Sequence, residues 1–315
     1  MGFARRRAKH AVLSRLSAVK SLRVITYPDI DPVAFSLGSW SVRWYGLTYL
    51  AGFAAFWLLG RLRAAQDHRG WRAAEIDDLL FYAAIGVIVG GRLGYVVFYD
   101  TARSLAEPLS VLKVWQGGMS FHGGLLGVLV AMWWYGRSTN RTFFQVTDFI
   151  APLVPLGLAC GRIGNFINAE LWGKVTDLPW GIVFPGAGVL PRHPSQLYQA
   201  LLEGGVLFIL LWLFSRRPKP VMAVSGVFLM GYGVLRSIAE LVRVPDQHLG
   251  YLAFDWLTMG QLLSLPMLLV GLVLTCWAYR ANAAPETTTQ EPVAAPAQSS
   301  ARKRTAKRNK RARRR

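Results

Sequence analysis

The strongest constraint in the sequence is a recurrence of apolar stretches. Seven runs of about 17 to 23 residues, the length that crosses a hydrocarbon core of roughly 30 Å, fall near 44–60, 79–99, 119–136, 148–168, 197–214, 222–241 and 257–279. Inside lipid a backbone must satisfy its own hydrogen bonds, so each run is read as a helix. The expected fold is therefore all-α: a polytopic membrane protein with about seven transmembrane helices and a small extracytoplasmic head region. Composition agrees, with 53% of the 315 residues hydrophobic and 17% charged, against roughly a quarter charged in ordinary soluble domains.

The formal net charge of +19 would point to nucleic acid if it were spread evenly. It is concentrated at the ends. Residues 1–23 carry seven Lys/Arg and no acid, and residues 281–315 carry ten against Glu286 and Glu291, which leaves 19 basic and 15 acidic residues between them. No nucleic-acid partner is expected. Short loops rich in Lys/Arg stay cytoplasmic, and the first, third and fifth connections are the basic ones: Arg61, Arg63, Arg69 and Arg72; Arg137 and Arg141; Arg216, Arg217 and Lys219. This places the N-terminal side of the first span outside and the C-terminus inside. The basic stretch Arg5–Arg23 opposes that orientation and lacks a signal-peptide apolar core. It reads as an interfacial segment or as a start site that belongs near Tyr27. The chain thus divides into an N-terminal extension (1–26), a seven-helix body (27–280) and a linker with a polybasic cytoplasmic tail (281–315), the last too poor in apolar residues to build a core.

Charges inside spans are costly and therefore informative. Arg92, Arg162, Glu203, Arg236 and Glu240 fall within the predicted helices, with His122 near the outer end of the third. Arg236 and Glu240 are four apart and can neutralise each other, whereas Arg162 has no sequence-local partner. A guanidinium with amide neighbours suits phosphate or carboxylate, so an anionic headgroup is the natural ligand. A lone interfacial histidine is most often structural, yet an ordinary pKa near 6.5 makes His122 the obvious proton acceptor. Tyr45 and Tyr232 are compatible with interfacial aromatic belts. Cys160 and Cys276 lie at apolar positions and read as small hydrophobes. Five His and two Cys show no ligand spacing, so no metal site or cofactor is expected.

Four motifs carry a resemblance. Gly161-Arg162-Ile163-Gly164-Asn165-Phe166-Ile167-Asn168 with Glu170, Gly117-Gly118-Met119-Ser120-Phe121-His122-Gly123-Gly124, His193-Pro194-Ser195-Gln196-Leu197-Tyr198, and Gly231-Tyr232-Gly233 with Arg236 closely resemble the bacterial prolipoprotein diacylglyceryl transferases, in a region from about Tyr27 to Arg280. The resemblance implies a multi-pass enzyme of the bacterial cytoplasmic (inner) membrane. Such an enzyme moves a diacylglyceryl group from phosphatidylglycerol to the lipobox cysteine of a preprolipoprotein, among membrane lipids, and releases glycerol phosphate. It further implies that Arg162 binds the phosphate, that Arg236 holds or stabilises it as it leaves, and that His122 takes the thiol proton. Tyr45, Asn165, Glu170, Gly173, Tyr232, Glu240 and Arg243 match positions of substrate binding, with Glu170 and Glu240 orienting arginines. The nucleophile would then belong to the substrate, in keeping with two unreactive cysteines. The connection from Gly173 to His193 is shorter than in some family members. Two rival classes are an anion transporter, which would distribute its charges toward both faces, and a lipid-binding scaffold, which leaves His122 beside Gly123 and Gly124 without a purpose.

Overall fold

A computed structural model describes residues 25–283 apart from Ser39, residues 246–249 and Asp255. The basic N-terminal stretch and most of the linker and polybasic tail, from residue 284 onward, lie outside the described residues. Apart from the last two residues of the final helix, the elements belong to a compact unit that ends at Ala281. Helices follow one another as α1 (Trp44–Ala64), α2 (Ala73–Tyr99), α3 (Thr101–Ala106), α4 (Phe121–Ser138), α5 (Phe143–Ile150), α6 (Val154–Ile167), α7 (Ser195–Phe214), α8 (Ala223–Glu240) and α9 (Met259–Ala283).

Each of the seven apolar runs is largely helical. Among the described residues three helices are long and apolar enough to cross a membrane, α2, α7 and α9 up to Ala281, and a fourth crossing results if α5 and α6, bent by 53°, are one span. The bend falls where Pro155 opens α6, a residue suited to a first helical turn and ill suited to continuing one. Helices α1, α4 and α8 are shorter or more diluted by Trp, Tyr, Gly and charge. Large side chains such as Leu58, Ile88, Leu126, Leu210 and Val273 stand exposed on the helix surfaces, as expected where the surrounding solvent is lipid.

The fold is mostly helical rather than all-α. Strands β1 (Ile25–Thr26) and β4 (Ile182–Val183) pair in parallel, and β2 (Val33–Leu37) pairs antiparallel with β3 (Trp40–Arg43). These lie in segments too polar or too rich in Gly and Pro for a helix, so their backbone groups are satisfied by pairing across segments.

Two packing features position the site. Glycines Gly86, Gly90 and Gly94 of α2 meet Gly123 and Gly127 of α4 so closely that a Cβ on Gly127 would run into the Gly86 carbonyl. Small residues at such a crossing let two backbones touch and gain dispersion contacts that lipid cannot supply. At the other end of these helices Trp71 stacks on Phe149 at 4.2 Å between ring centres, the Arg141 guanidinium lies 3.9 Å from the Trp71 ring centre, and Arg141 also pairs with Glu75. Adding one methyl at the glycine crossing, Gly127→Ala, is expected to cost about 1–3 kcal/mol as overpacking. Thermal unfolding in detergent reads this as a lower midpoint, and an unchanged midpoint would mean that the helices separate freely.

Candidate functional site

The predicted site residues fall on α1, α4, α6, the Gly173 segment and α8. Two of those helices, α6 and α8, are joined by a residue on α7. Glu203 is fully buried and lies 3.7 Å from Arg162 Nη2 and 3.4 Å from Arg236 Nη1. Arg236 Nη2 in turn pairs with Glu240 at 2.8 Å, and Glu240 meets Arg243 at 3.5 Å. The result is an alternating chain, Arg162–Glu203–Arg236–Glu240–Arg243, that crosses from α6 through α7 to the end of α8. Charges this deep are tolerable only when each is paired.

Glu203 reaches its place through an irregular turn. Residues Ala200–Val206 form a π-helical segment inside α7, a form that is rare and recurs at functional sites. A Cβ on the adjoining Gly204 would collide with Ala159, one turn before Arg162, so the widened turn lies directly against α6. The sequence flags Glu203 as an intramembrane charge but gives it no role, because its partners are 41 and 33 residues away along the chain.

The end of α6 is held from outside the helices. Tyr27 donates its hydroxyl hydrogen bond to the Phe166 and Ile167 carbonyls at 3.0 and 2.7 Å, among the last carbonyls of a helix that lack intrahelical partners. Beyond it the chain turns sharply. Ala169 and Leu171 both hold left-handed backbone angles, φ 52° and 59°, strained for non-glycine residues and a mark of an over-determined segment. Between them Glu170 accepts a hydrogen bond from Asn165 Nδ2 at 2.7 Å. Buried Ser195 donates to the Leu171 carbonyl at 2.8 Å, and buried Gln196 donates to the Glu170 carbonyl at 2.5 Å. Ser195 and Gln196 therefore lock the turn. Their signal in the sequence is polarity at the head of an otherwise apolar run.

Glu240 meets two arginines, Arg236 and Arg243, whereas Glu170 meets the Asn165 amide. Tyr45 lies beside Asn165 and Glu170, because Gly164 leaves room for its ring against α6. Tyr232 is half-buried, near Glu203 and Arg236. Gly173 bridges by backbone to Arg243, donates to the His193 carbonyl at 2.8 Å, and has no space for a side chain between Val242 and His193. His122 stands apart. It is exposed at the start of α4, its ring meets Phe121 at 5.5 Å, and α4 packs chiefly on α2 and α5. Cys160 is half-buried and Cys276 exposed, and both are free.

In the segment between α6 and α7, His193 Nδ1 lies 3.3 Å from the Tyr198 hydroxyl, which also accepts from Trp180 Nε1 at 2.7 Å. Burial, and then the Lys174 charge, push the His193 imidazole below its ordinary 6.5. These features define a helical membrane protein with an arginine–carboxylate centre joined to an ordered segment outside the helices.

A family model described as prolipoprotein diacylglyceryl transferase matches residues 32–277. Phosphatidylglycerol–prolipoprotein diacylglyceryl transferases from Pseudomonas paraeruginosa (57% identical, 83% of this chain and 98% of the relative), Solidesulfovibrio magneticus (62%, 80% and 96%) and Cupriavidus metallidurans (60%, 82% and 96%) are similar over nearly their whole lengths. The chain belongs to the prolipoprotein diacylglyceryl transferase family.

Two outcomes test this geometry. Removing fully buried Glu203 (Glu203→Ala) leaves Arg162 and Arg236 without their shared carboxylate and is expected to cost about 3–5 kcal/mol. Arg162→Ala should cost clearly less, since Arg162 is 22% exposed and 3.7 Å from its partner. Thermal unfolding of the two variants orders them, and the reverse order contradicts a shared buried anion. The lowered His193 pKa means that the unfolded chain takes up this proton more readily than the folded one. Its contribution to stability is therefore complete above pH 6.5 and declines as pH falls through 6.5 toward the lower folded value. His193→Gln should remove that part of the pH dependence of unfolding.

Proposed function

We propose that the chain catalyses the first step of lipoprotein maturation: transfer of the diacylglyceryl group of phosphatidylglycerol to the thiol of a lipobox cysteine. The observation that carries the assignment of residues is the state of Arg162. Its guanidinium faces Glu203 only at 3.7 Å, too long for a hydrogen bond, and its side chain is 22% exposed. It keeps donors for an incoming phosphate, which arginine can hold through two parallel bonds.

In this reading Arg162 anchors the phosphodiester. Arg236, fixed between Glu203 and Glu240, stabilises negative charge as it concentrates on the departing phosphate. The lipobox sulfur attacks the diacylglyceryl carbon that bears the phosphate, the C–S bond forms as the C–O bond breaks, and glycerol phosphate leaves. His122 accepts the thiol proton, a modest task for a group whose ordinary pKa is near 8.5. Asn165, Tyr45 and Tyr232 hydrogen-bond the headgroup, Glu170 orients Asn165, and Glu240 and Arg243 hold Arg236 and the Gly173 segment in place.

The loop charges support seven crossings of the bacterial cytoplasmic membrane, with the N-terminal side outside and the C-terminus inside. The same reading divides the chain into a basic extension (1–26), the transferase body (27–280) and a polybasic tail (281–315) that attracts anionic lipid. The test is transfer of labelled diacylglycerol from phosphatidylglycerol liposomes to a lipobox peptide by the purified chain. Arg162→Ala is expected to abolish detectable transfer, and His122→Ala to lower kcat by about 100-fold or more. A well-folded wild type that transfers nothing but releases trapped anions from liposomes would mark a transporter instead.

A further inference from the structure

Arg92 is a buried intramembrane arginine that the transfer reaction leaves unused. Among the described residues it pairs with no carboxylate. Its guanidinium donates instead to four backbone carbonyls: Nη2 to Ser110 at 2.6 Å, Nη1 to Gly117 at 2.7 Å and Gly118 at 3.1 Å, and Nε to Val111 at 2.9 Å. Four of its five donor hydrogens have partners in one loop. The loop comprises two short 3₁₀ turns, Pro108–Leu112 and Val114–Gln116, with little core of its own, and Leu109, Leu112 and Trp115 are exposed. Arg92 therefore ties together two ends of a segment that has few other constraints.

The loop leads directly into the first turn of α4. Ser120 donates its backbone N–H to the Gly91 carbonyl, next to Arg92 on α2, at 2.9 Å, and its hydroxyl oxygen caps α4 by accepting from the Gly123 N–H at 3.3 Å. His122 lies between the cap and its donor. Gly118, with φ +78°, fits so tightly that a Cβ there would meet Arg92 Nη1 at 2.8 Å and the Tyr95 ring. An unbroken run of contacts thus leads from Arg92 through Gly117, Gly118 and Ser120 to the backbone of His122.

We propose that Arg92 is a positioning residue for His122: by gathering the carbonyls of 110–118 onto α2 it fixes where α4 begins, and so where the imidazole meets the substrate thiol. This rests on the reading of His122 as the base. A misplacement on the order of 1 Å can cost about 100-fold in rate, so a base carried on an exposed first turn gains from a rigid mount.

The experiment uses the purified full chain in phosphatidylglycerol liposomes with a lipobox peptide. Arg92→Gln should lower kcat about 100-fold and leave KM for phosphatidylglycerol within about twofold, because headgroup binding is untouched. Arg92→Lys, which keeps the charge and some donors, should recover part of the loss. On a His122→Ala background Arg92→Gln should lower the residual rate no further, since both act through one group. Gly118→Ala presses on the same contact from the loop side and should reproduce the kcat-specific loss, which keeps the test decisive if Arg92→Gln does not fold. An unchanged kcat in Arg92→Gln or Gly118→Ala beside an inactive His122→Ala overturns the positioning role alone, as does a full further loss on the His122→Ala background. Full activity in His122→Ala overturns the base and the positioning role together.

Discussion

A carboxylate with no exposed surface, held between two guanidiniums from different helices, is the interaction on which the site depends. In lipid there is no hydrophobic force between helices to fix their register, and each buried charge must find its partner or be expelled. Glu203 of α7 facing Arg162 of α6 and Arg236 of α8 satisfies that demand in one arrangement of the three helices. The π-turn at Ala200–Val206 is the local distortion that goes with it, and Glu240 extends the pairing to Arg243. Charge pairing here sets geometry more than it adds stability, since desolvation consumes much of what the pairing returns.

The segment between α6 and α7 extends that geometry to the end of α6. Tyr27 takes up two carbonyls where the helix stops, β1 and β4 pair beside it, and Ser195 and Gln196 reach back to hold the strained turn around Glu170. Gly173 then links the backbone of this turn to Arg243 and His193. The ion-pair chain thus connects at both ends, directly through Arg243 and indirectly through α6, to one ordered segment outside the helices.

The helices are legible in the sequence because their cause is local: a long apolar run in lipid has few conformations open to it. The bend is marked only by Pro155, which shows where a helix can break but not which way it turns, and the strands are not legible because pairing of Ile25 with Ile182 is set by contacts 157 residues apart. At the site, the i, i+4 pair Arg236–Glu240 follows from spacing alone. Arg162 is recognisable as an arginine in need of a partner, but Glu203 as that partner is not, since spacing says nothing of which helices touch. Arg92 shows the opposite limit. As an intramembrane charge it looks the same in sequence as Arg162, yet it is consumed by four carbonyls, whereas among the described residues Arg162 meets Glu203 at 3.7 Å and has no hydrogen-bond partner.

The separation of His122 from the ion-pair chain has a use in the reaction proposed above. In a displacement at carbon the entering sulfur and the leaving oxygen take opposite sides of the reacting atom. A base that serves the sulfur and a cation that holds the phosphate must therefore stand apart, with the substrate between them. A hydrogen bond from His122 to the arginine–carboxylate chain would close that space. The structure places the two groups on different helix partnerships, α2 with α4 for the histidine and α6, α7 and α8 for the arginines, and α1 packs on both α2 and α6. Gly52 of α1 lies against Gly157 of α6 and Gly60 against Ile76 of α2, so one helix packs on both partnerships and carries Tyr45 as well. The spacing of His122 from the arginine–carboxylate chain is then governed by how α1 packs, a constraint that no single motif of the sequence contains.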